Sequence, residues 1–432
     1  MESWFRLKER GTNPNTEFLA GVTTFLTLAY SAIVIPSVLS LTGMDFNGVF
    51  MAVILSSIIG TLIMGLFANY PIVIGPGLGL NAYFAFSVVK GGGHSWEVAL
   101  GAVFISGILF LLVSLTKFRS ILIDAIPVGL KHAITAGIGF FVCFIGLQSA
   151  KIVVDSPATL VTLGKLSEPS ALLTIIGLAV SLVLLTYRVK AALFIGMLVT
   201  SAVAYSMGFM VLPSQWVVMP SGLEHTFLKM DIQGVMDSGL YSVIFTFFLI
   251  TLFDTTGTLL GMAEQAELMV NGKFPNARGA FLADAAGTVA GALLGTSPTA
   301  TCIESSAGVA AGGRSGLTAV VVAGLFMVTL FFSPVAKMLS TVPAVTAPAL
   351  IIVGFFMMNG LRDIDWKNIE EAFPAFLVVA IMPLTYSIAT GIGIGFIVYP
   401  LLKLMRGKGR EVHPVLYLFM VLFFIQIGIL NR

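Results

Sequence analysis

The sequence predicts an all-α polytopic membrane protein: about fourteen transmembrane segments in two inverted seven-segment repeats, with segments 3 and 10 broken. Three observations carry that prediction. The 432 residues are 57% hydrophobic and only 10% charged, with 34 Phe, far outside the composition of soluble domains. Apolar runs of about 20 residues, the length that crosses a hydrocarbon core as helix, recur along the whole chain. Short motifs also recur in order between its two halves, as internal duplication requires.

In chain order the segments fall at 17–41, 47–67, 71–89, 97–117, 126–149, 170–187, 190–211, 237–263, 279–295, 297–311, 316–340, 343–361, 374–389 and 391–406. A further apolar run covers 412–430. The polar start (Glu2, Arg6, Lys8, Glu9, Arg10) precedes a first run that is too long for a removable signal peptide and lacks its cleavage pattern, so the first helix is expected to stay. With the N-terminus inside and strict alternation, seventeen Lys and Arg fall at inside ends, among them Lys117, Arg119 and Lys273. Five fall outside (Lys90, Lys151, Lys165, Lys229, Lys337), Arg432 left aside. That bias predicts a multi-pass protein of the cytoplasmic (inner) membrane with a cytoplasmic N-terminus.

Two segments are broken by their own chemistry. Pro71 to Gly77 disfavours helix and Leu80 to Val89 favours it; Ser297 to Cys302 reads as extended, while Ser305 to Ala311 is small, helix-compatible and closed by Gly312-Gly313. Non-helical backbone at bilayer depth survives only where protein or a water-filled cavity satisfies its N–H and C=O groups. Two half-helix N-termini are therefore expected to meet near the midplane around one small cavity. The repeat has three echoes. Gly60-Thr61 before Pro71 matches Gly287-Thr288 before Pro298; Ile126-Pro127, Gly139-Phe140-Phe141 and Gly146-Leu147 match Val342-Pro343, Gly354-Phe355-Phe356 and Gly360-Leu361; Leu185-Thr186-Tyr187 matches Leu384-Thr385-Tyr386. A tandem unit of seven segments must insert in opposite orientations.

Function is sought where charge survives inside these segments. Glu304, in the second broken segment, and Asp254, in TLFDTTGTLLG, lie too deep to snorkel, and no Lys or Arg occupies the membrane centre to neutralise them. They are the candidate substrate and proton-coupling residues, since a carboxylate can accept a substrate's N–H groups or hold a proton. Asn81, at the start of the first half-helix, can donate and accept, or serve as a plain cap. Phe253, within the cluster of Phe245, Phe247 and Phe248, offers a stacking face. Thr255 and Ser305, beside the two carboxylates, complete the candidate contacts. Asp284 reads as a core hydrogen-bond partner in preference to part of a proton path. Cys143 and Cys302 read as packed thiols, the four His as interfacial groups, and Gly75 to Gly79 lacks the βαβ context of a dinucleotide loop. No P-loop, metal-site spacing or basic stripe is present, so no cofactor and no nucleic acid is expected beyond a coupling proton, with sodium also open.

Four stretches then resemble one family. TEFLAGVTTFLTLAY at Thr16 to Tyr30, ANYPIVIGPGLGLNAYFAF at Ala68 to Phe86, LFDTTGTLLG at Leu252 to Gly261 and IESSAGVAAGGRSGLTA at Ile303 to Ala319 are similar to the AzgA-like purine permeases of the second nucleobase-cation symporter family. The resemblance implies a core domain (12–118 and 236–341) and a gate domain (119–235 and 342–432). It implies hypoxanthine, guanine or adenine as substrates, commonly with proton symport, and no enzymatic activity. Family roles fall on Gly79, Asn81, Asp254 and Glu304; Cys302 departs from it, standing where Tyr or Phe is expected. Gly-rich gate helices make a homodimer an expectation. The rival readings are a same-fold carrier of a small anion or of uracil or xanthine, and, from other classes, a channel or a membrane-embedded enzyme. Absence of continuous polar rings and of any nucleophile–base–metal set argues against the last two.

Overall fold

The computed structural model describes residues 2–116, 122, 125–266, 268 and 275–430. Lys117, Arg119, Lys273 and Arg432, and the 118/119 domain boundary expected above, lie outside the described residues. Helices occupy the expected segments. Among the described residues nine are long and apolar enough to cross a membrane, and two shorter apolar helices lie at Ala192–Ser206 and Pro414–Gly428.

The first half runs α1 (Glu2–Phe5), α2 (Pro14–Leu28), α3 (Ser31–Ser40), α4 (Phe46–Ile63), β1 (Ile74–Pro76), α5 (Leu78–Ala82), α6 (Trp96–Leu115), α7 (Val128–Ser149), the hairpin β2 (Val153–Ser156) and β3 (Leu160–Leu163), α8 (Pro169–Thr186) and α9 (Ala192–Ser206). After the short α10 (Ile232–Asp237), the second half runs α11 (Tyr241–Gln265), α12 (Ala277–Leu294), β4 (Thr299–Thr301), α13 (Ser305–Ala310), α14 (Gly316–Thr329), α15 (Ser333–Ser340), α16 (Pro343–Met357), α17 (Ile369–Thr385), α18 (Ile388–Met405) and α19 (Pro414–Ile425). Local chemistry sets the ends. Asn13 caps α2 by accepting from the Thr16 amide, with Pro14 at the first helical position; Asp45 caps α4 and Ser95 caps α6 in the same way. The exposed β2–β3 hairpin falls in a stretch assigned to no segment.

Duplicated residues meet their own duplicates. A Cβ placed on Gly60 of α4 would come 3.5 Å from the Cα of Gly287 on α12, and the converse distance is also 3.5 Å. One on Gly139 of α7 would meet the Gly354 carbonyl of α16 at 2.6 Å, and one on Gly354 would meet the Gly139 carbonyl at 2.4 Å. These glycines let paired helices touch backbone to backbone, which is why Gly recurs at both positions. The third echo marks the ends of α8 and α17, each closing at the Thr of its Leu-Thr-Tyr. Strands β1 and β4 pair antiparallel with Ile74 opposite Thr301, and Thr301 follows Ile74 by the same 227 positions that separate Gly60 from Gly287. A pseudo-twofold relation between inverted halves therefore runs through this strand pair.

Two groups of helices pack around it. Helices α2, α4, α6, α12 and α14 contact one another in one group; α7, α8, α9, α16, α17 and α18 form the second. The last helix, α19, lies on α18, with Phe419 and Phe423 against Phe245 and Phe396.

Candidate functional site

Extended backbone inside a membrane protein needs partners, and here each broken segment supplies the other's. Besides the β1–β4 ladder, the Gly77 amide donates to the Pro298 carbonyl (3.2 Å) and the Cys302 amide to the Val73 carbonyl (2.9 Å). Duplicated threonines complete the set. Thr61 of α4 exchanges hydrogen bonds with both backbone groups of Ile74, and Thr288 of α12 does so with Thr299. The extended backbone of the crossing thus finds partners within the protein, as bilayer depth requires.

The two half-helices are not equivalent at their starts. In the first, α5 continues as a π-helix to Gly91, and the amides of Leu78, Gly79 and Leu80 precede any intrahelical acceptor. In the second, the amides of Ser305, Ser306 and Ala307 are already taken by the carbonyls of Cys302, Ile303 and Glu304. Free amides are therefore offered by α5, while the second crossing contributes a carboxylate.

Beside the crossing lies a cavity of about 590 Å³, lined by Gly75–Gly79, Tyr30, Ser57, Phe253, Asp254, Cys302, Glu304, Phe326 and Phe356. That volume suits a small heterocycle. Its mouth is lined by His132 and Thr135 at the start of α7, Gln265 at the end of α11, and Asn359, Arg362 and Asp363 after α16. Tyr30, at the joint between α2 and α3, donates its hydroxyl to Glu304 Oε1 at 2.5 Å. Asp254 has no hydrogen-bond or ion-pair partner among the described residues. At the far end of α13 the wholly buried Glu17 of α2 accepts from the amides of Arg314, Ser315 and Thr318 and from the Thr318 hydroxyl. Helix α13 is thus tied to the α2–α3 segment at both ends.

The candidate residues separate into two sets. Gly79, Phe253, Asp254 and Glu304 line the cavity. Thr255 faces away from it, donating to Asp284 Oδ2, whose other oxygen accepts from Thr299 at 3.0 Å; Asp284 is buried as a core hydrogen-bond partner. Ser305 turns to the Val73 amide at 3.0 Å, bracing the two crossings against each other. Asn81 is buried inside α5 and is not its cap, which is Gly77; its Oδ1 has no partner. Of the Phe cluster, Phe247 packs on Tyr83 and Phe84, and Phe245 on α19, leaving only Phe253 at the cavity. Sequence reasoning missed Tyr30, Ser57, Phe326 and Phe356. Tyr30 alone left a signal, a phenol ending the TTFLTLAY run at a helix joint.

On the side opposite the mouth the two helix groups are closed together. Tyr386, in the left-handed region at the end of α17 (φ 57°), accepts through its carbonyl from Ser87 Oγ at 3.0 Å, and its hydroxyl reaches Gln148 Oε1. Phe86, Phe141 and Phe144 surround its ring edge to face.

A central cavity open on one face, walled by two crossing half-helices of inverted repeats, defines a membrane carrier of the secondary-transporter class. Solved structures share this architecture. The transmembrane domain of the cyanobacterial bicarbonate transporter BicA superposes with TM-score 0.66 at 14% identity, covering 87% of this chain and 96% of that one. The murine anion transporter Slc26a9, in its inward-facing state, matches at TM-score 0.63 and 11% identity, covering 91% of this chain and 68% of that one. At such identities the likeness is one of fold. Sequence goes further. The family model Xan_ur_permease, described as a permease family, matches residues 15–394, and the chain belongs to that family. Guanine/hypoxanthine permease PbuO of Bacillus subtilis is 52% identical over 99% of this chain and 100% of its own length. Adenine permease AdeP of Escherichia coli is 40% identical over 99% of this chain and 96% of its own. These relatives are permeases and not enzymes.

Proposed function

We propose that this protein carries purine nucleobases, guanine and hypoxanthine foremost and adenine with them, across the cytoplasmic membrane by proton symport with alternating access. The observation that carries the reading is the pairing in one cavity of a half-helix offering free amides with two carboxylates, Asp254 and Glu304, that make no ion pair among the described residues. A neutral purine has N–H donors on one edge and ring or carbonyl acceptors on another. Glu304 accepts the N–H edge, the α5 amides meet an acceptor, and Phe253 with its aromatic neighbours contacts the ring face. Asp254 either completes the ring contact or takes the coupling proton, and protonation favours loading. A small anion would face the same two carboxylates, which disfavours that rival although the fold is shared with anion carriers.

Residues 12–118 and 236–341, which hold α2, α4, α6, α11, α12, α14 and the crossings, act as the core, and residues 119–235 and 342–432, which hold α7–α9 and α16–α19, act as the gate against which it moves. The mouth faces the cytoplasm, as the positive-inside bias orients the chain. A homodimer through the gate helices belongs to the same proposal, and cross-linking in native membranes tests it.

The decisive experiment is uptake of radiolabelled hypoxanthine by cells lacking their own purine permeases, with and without a protonophore and with guanine, adenine, uracil and xanthine as competitors. Protonophore-sensitive uptake blocked by guanine or adenine is expected, and Glu304→Gln is expected to abolish or badly weaken it. Wild-type uptake by that variant, or no purine uptake by a well-expressed protein, would refute the reading.

A further inference from the structure

The Glu304 carboxylate is held by one side chain. Its own stem has three rotatable bonds, and it projects from the turn that opens the six-residue α13. Its own backbone amide also lies against the carboxylate, a local contact that leaves the tie to the rest of the fold to a side chain. Among the described residues the Tyr30 hydroxyl is the only side-chain group that hydrogen-bonds it. Tyr30 is, by contrast, rigidly placed: 1% exposed, packed in the core, with two side-chain torsions set by its surroundings.

We infer that Tyr30 is a positioning residue that orients Glu304 and thereby sets which purine edge the site prefers. A hydroxyl donating to Oε1 favours the plane of the carboxylate, so a fixed phenol restricts rotation of that plane about the last side-chain bond. Each carboxylate oxygen can accept more than once, so the Tyr30 bond leaves both oxygens able to receive ligand donors. The orientation matters most for a ligand that presents two parallel N–H groups, because both bonds form only if the plane is correct. It matters less for a ligand with one N–H, which can follow a turned carboxylate. Guanine is of the first kind, with its N1–H beside the exocyclic amine; hypoxanthine is of the second on that edge. Ordering the acceptor before binding removes an entropy cost that would otherwise fall on the guanine complex.

The inference rests on the proposed reading of Glu304 as the acceptor of the N–H edge. The test is transport kinetics of guanine and hypoxanthine by wild type and Tyr30→Phe, which keeps the ring in the core and removes only the hydroxyl. The KM for guanine is expected to rise about tenfold, the size of losing one hydrogen bond to a charged group, that for hypoxanthine less than about threefold, and Vmax to change less than about twofold. A purely structural role would raise both KM values together or lower Vmax with membrane abundance, and either result, or unchanged kinetics, overturns the inference. Should Tyr30→Phe fail to reach the membrane, 3-fluorotyrosine at position 30 preserves shape while altering the donor. A shifted guanine-to-hypoxanthine KM ratio then supports the inference, and an unchanged one overturns it. If the wild type transports neither base, the purine reading falls first and this inference with it, an outcome distinct from a normal wild type with an indifferent variant.

Discussion

Gly79 is the point at which the first half-helix meets the other helix group, and a single methyl group there is expected to disable the carrier without unfolding it. A Cβ on Gly79 would lie 2.3 Å from Ile138 Cγ2 on α7, against an ordinary contact of 3.4–4 Å. Ile138 is itself buried, so the methyl must push α5 and α7 apart by about 1 Å. Overpacking of this kind costs about 1–3 kcal/mol. Because the contact joins the two groups of helices, that cost falls on the conformer in which they touch and not on either group alone. At about 2 kcal/mol the population of this conformer drops about thirtyfold relative to competing ones, each 1.4 kcal/mol being a factor of ten. The assay is initial-rate hypoxanthine uptake, normalised to membrane abundance, for Gly79→Ala, Ile138→Ala and the double variant. Gly79→Ala is expected to lose at least about tenfold in rate at near-normal abundance. Removing Cγ2 by Ile138→Ala makes room for the new methyl, so the double variant should exceed the product of the singles by a coupling of about 1–2 kcal/mol. Additive losses, or a Gly79→Ala protein that transports normally, would refute the steric argument.

Two other perturbations read separate parts of the machine. Glu17→Ala takes the acceptor from the amides of Arg314 and Ser315 and leaves that of Thr318 only its 3.3 Å bond to the Ser315 carbonyl, at about 1–3 kcal/mol for each buried donor left unpaired when no water replaces the acceptor; a several-fold shorter half-life on heating in detergent is expected, with Glu17→Gln intermediate, and an unchanged half-life would show the tie to be dispensable. Ser87→Ala removes one of the bonds closing the side opposite the mouth, worth about 1 kcal/mol, so the conformer open on that side should rise about fivefold. Labelling of Cys302 by an impermeant thiol reagent applied from that side, in a Cys143→Ser background, measures it, and a rate equal to the parent's would exclude the bond from gating.

Much of this architecture is written in punctuation that membrane chains can hardly avoid. Proline and glycine at 71–77 and Pro298 disfavour helix where lipid would otherwise demand it, so both crossings are legible, and paired glycines at 60, 139, 287 and 354 expose the duplication because helices can touch there only without side chains. Carboxylates at 254 and 304 stand out against an apolar background for the same energetic reason. Facing is harder to read. In helices apolar on every side there is no stripe to show which residue points inward, so sequence proximity groups Thr255 and Ser305 with the cavity although each turns to a backbone or carboxylate partner beside it. Tyr30 is invisible as a partner of Glu304 because a bond across 274 positions leaves no local pattern. The closed turn before α13, which consumes its own amides, likewise depends on the conformation of three consecutive residues and not on their identity.

The crossing of β1 and β4 makes two copies of one ancestral segment share a single seam, yet the copies do not bring the same chemistry to it. Shifted by 227 positions, Glu304 stands where the first copy has Gly77, and Asn81 where the second has Gly308. In the proposed site each half is specialised, one as acid and the other as amide donor, so that neither could be replaced by a second copy of its twin. The scaffold kept its equivalence all the same. Offset by the 214 positions that separate Gly146-Leu147 from Gly360-Leu361, Gln148 corresponds to Arg362, and Arg362 lines the present mouth while Gln148 is latched to Tyr386 on the sealed side. Under the proposed alternating access, exchanging the conformations of the two halves would turn one arrangement into the other. The opposite doorway is therefore already inscribed in the sealed face, with Gln148 and Tyr386 as its posts.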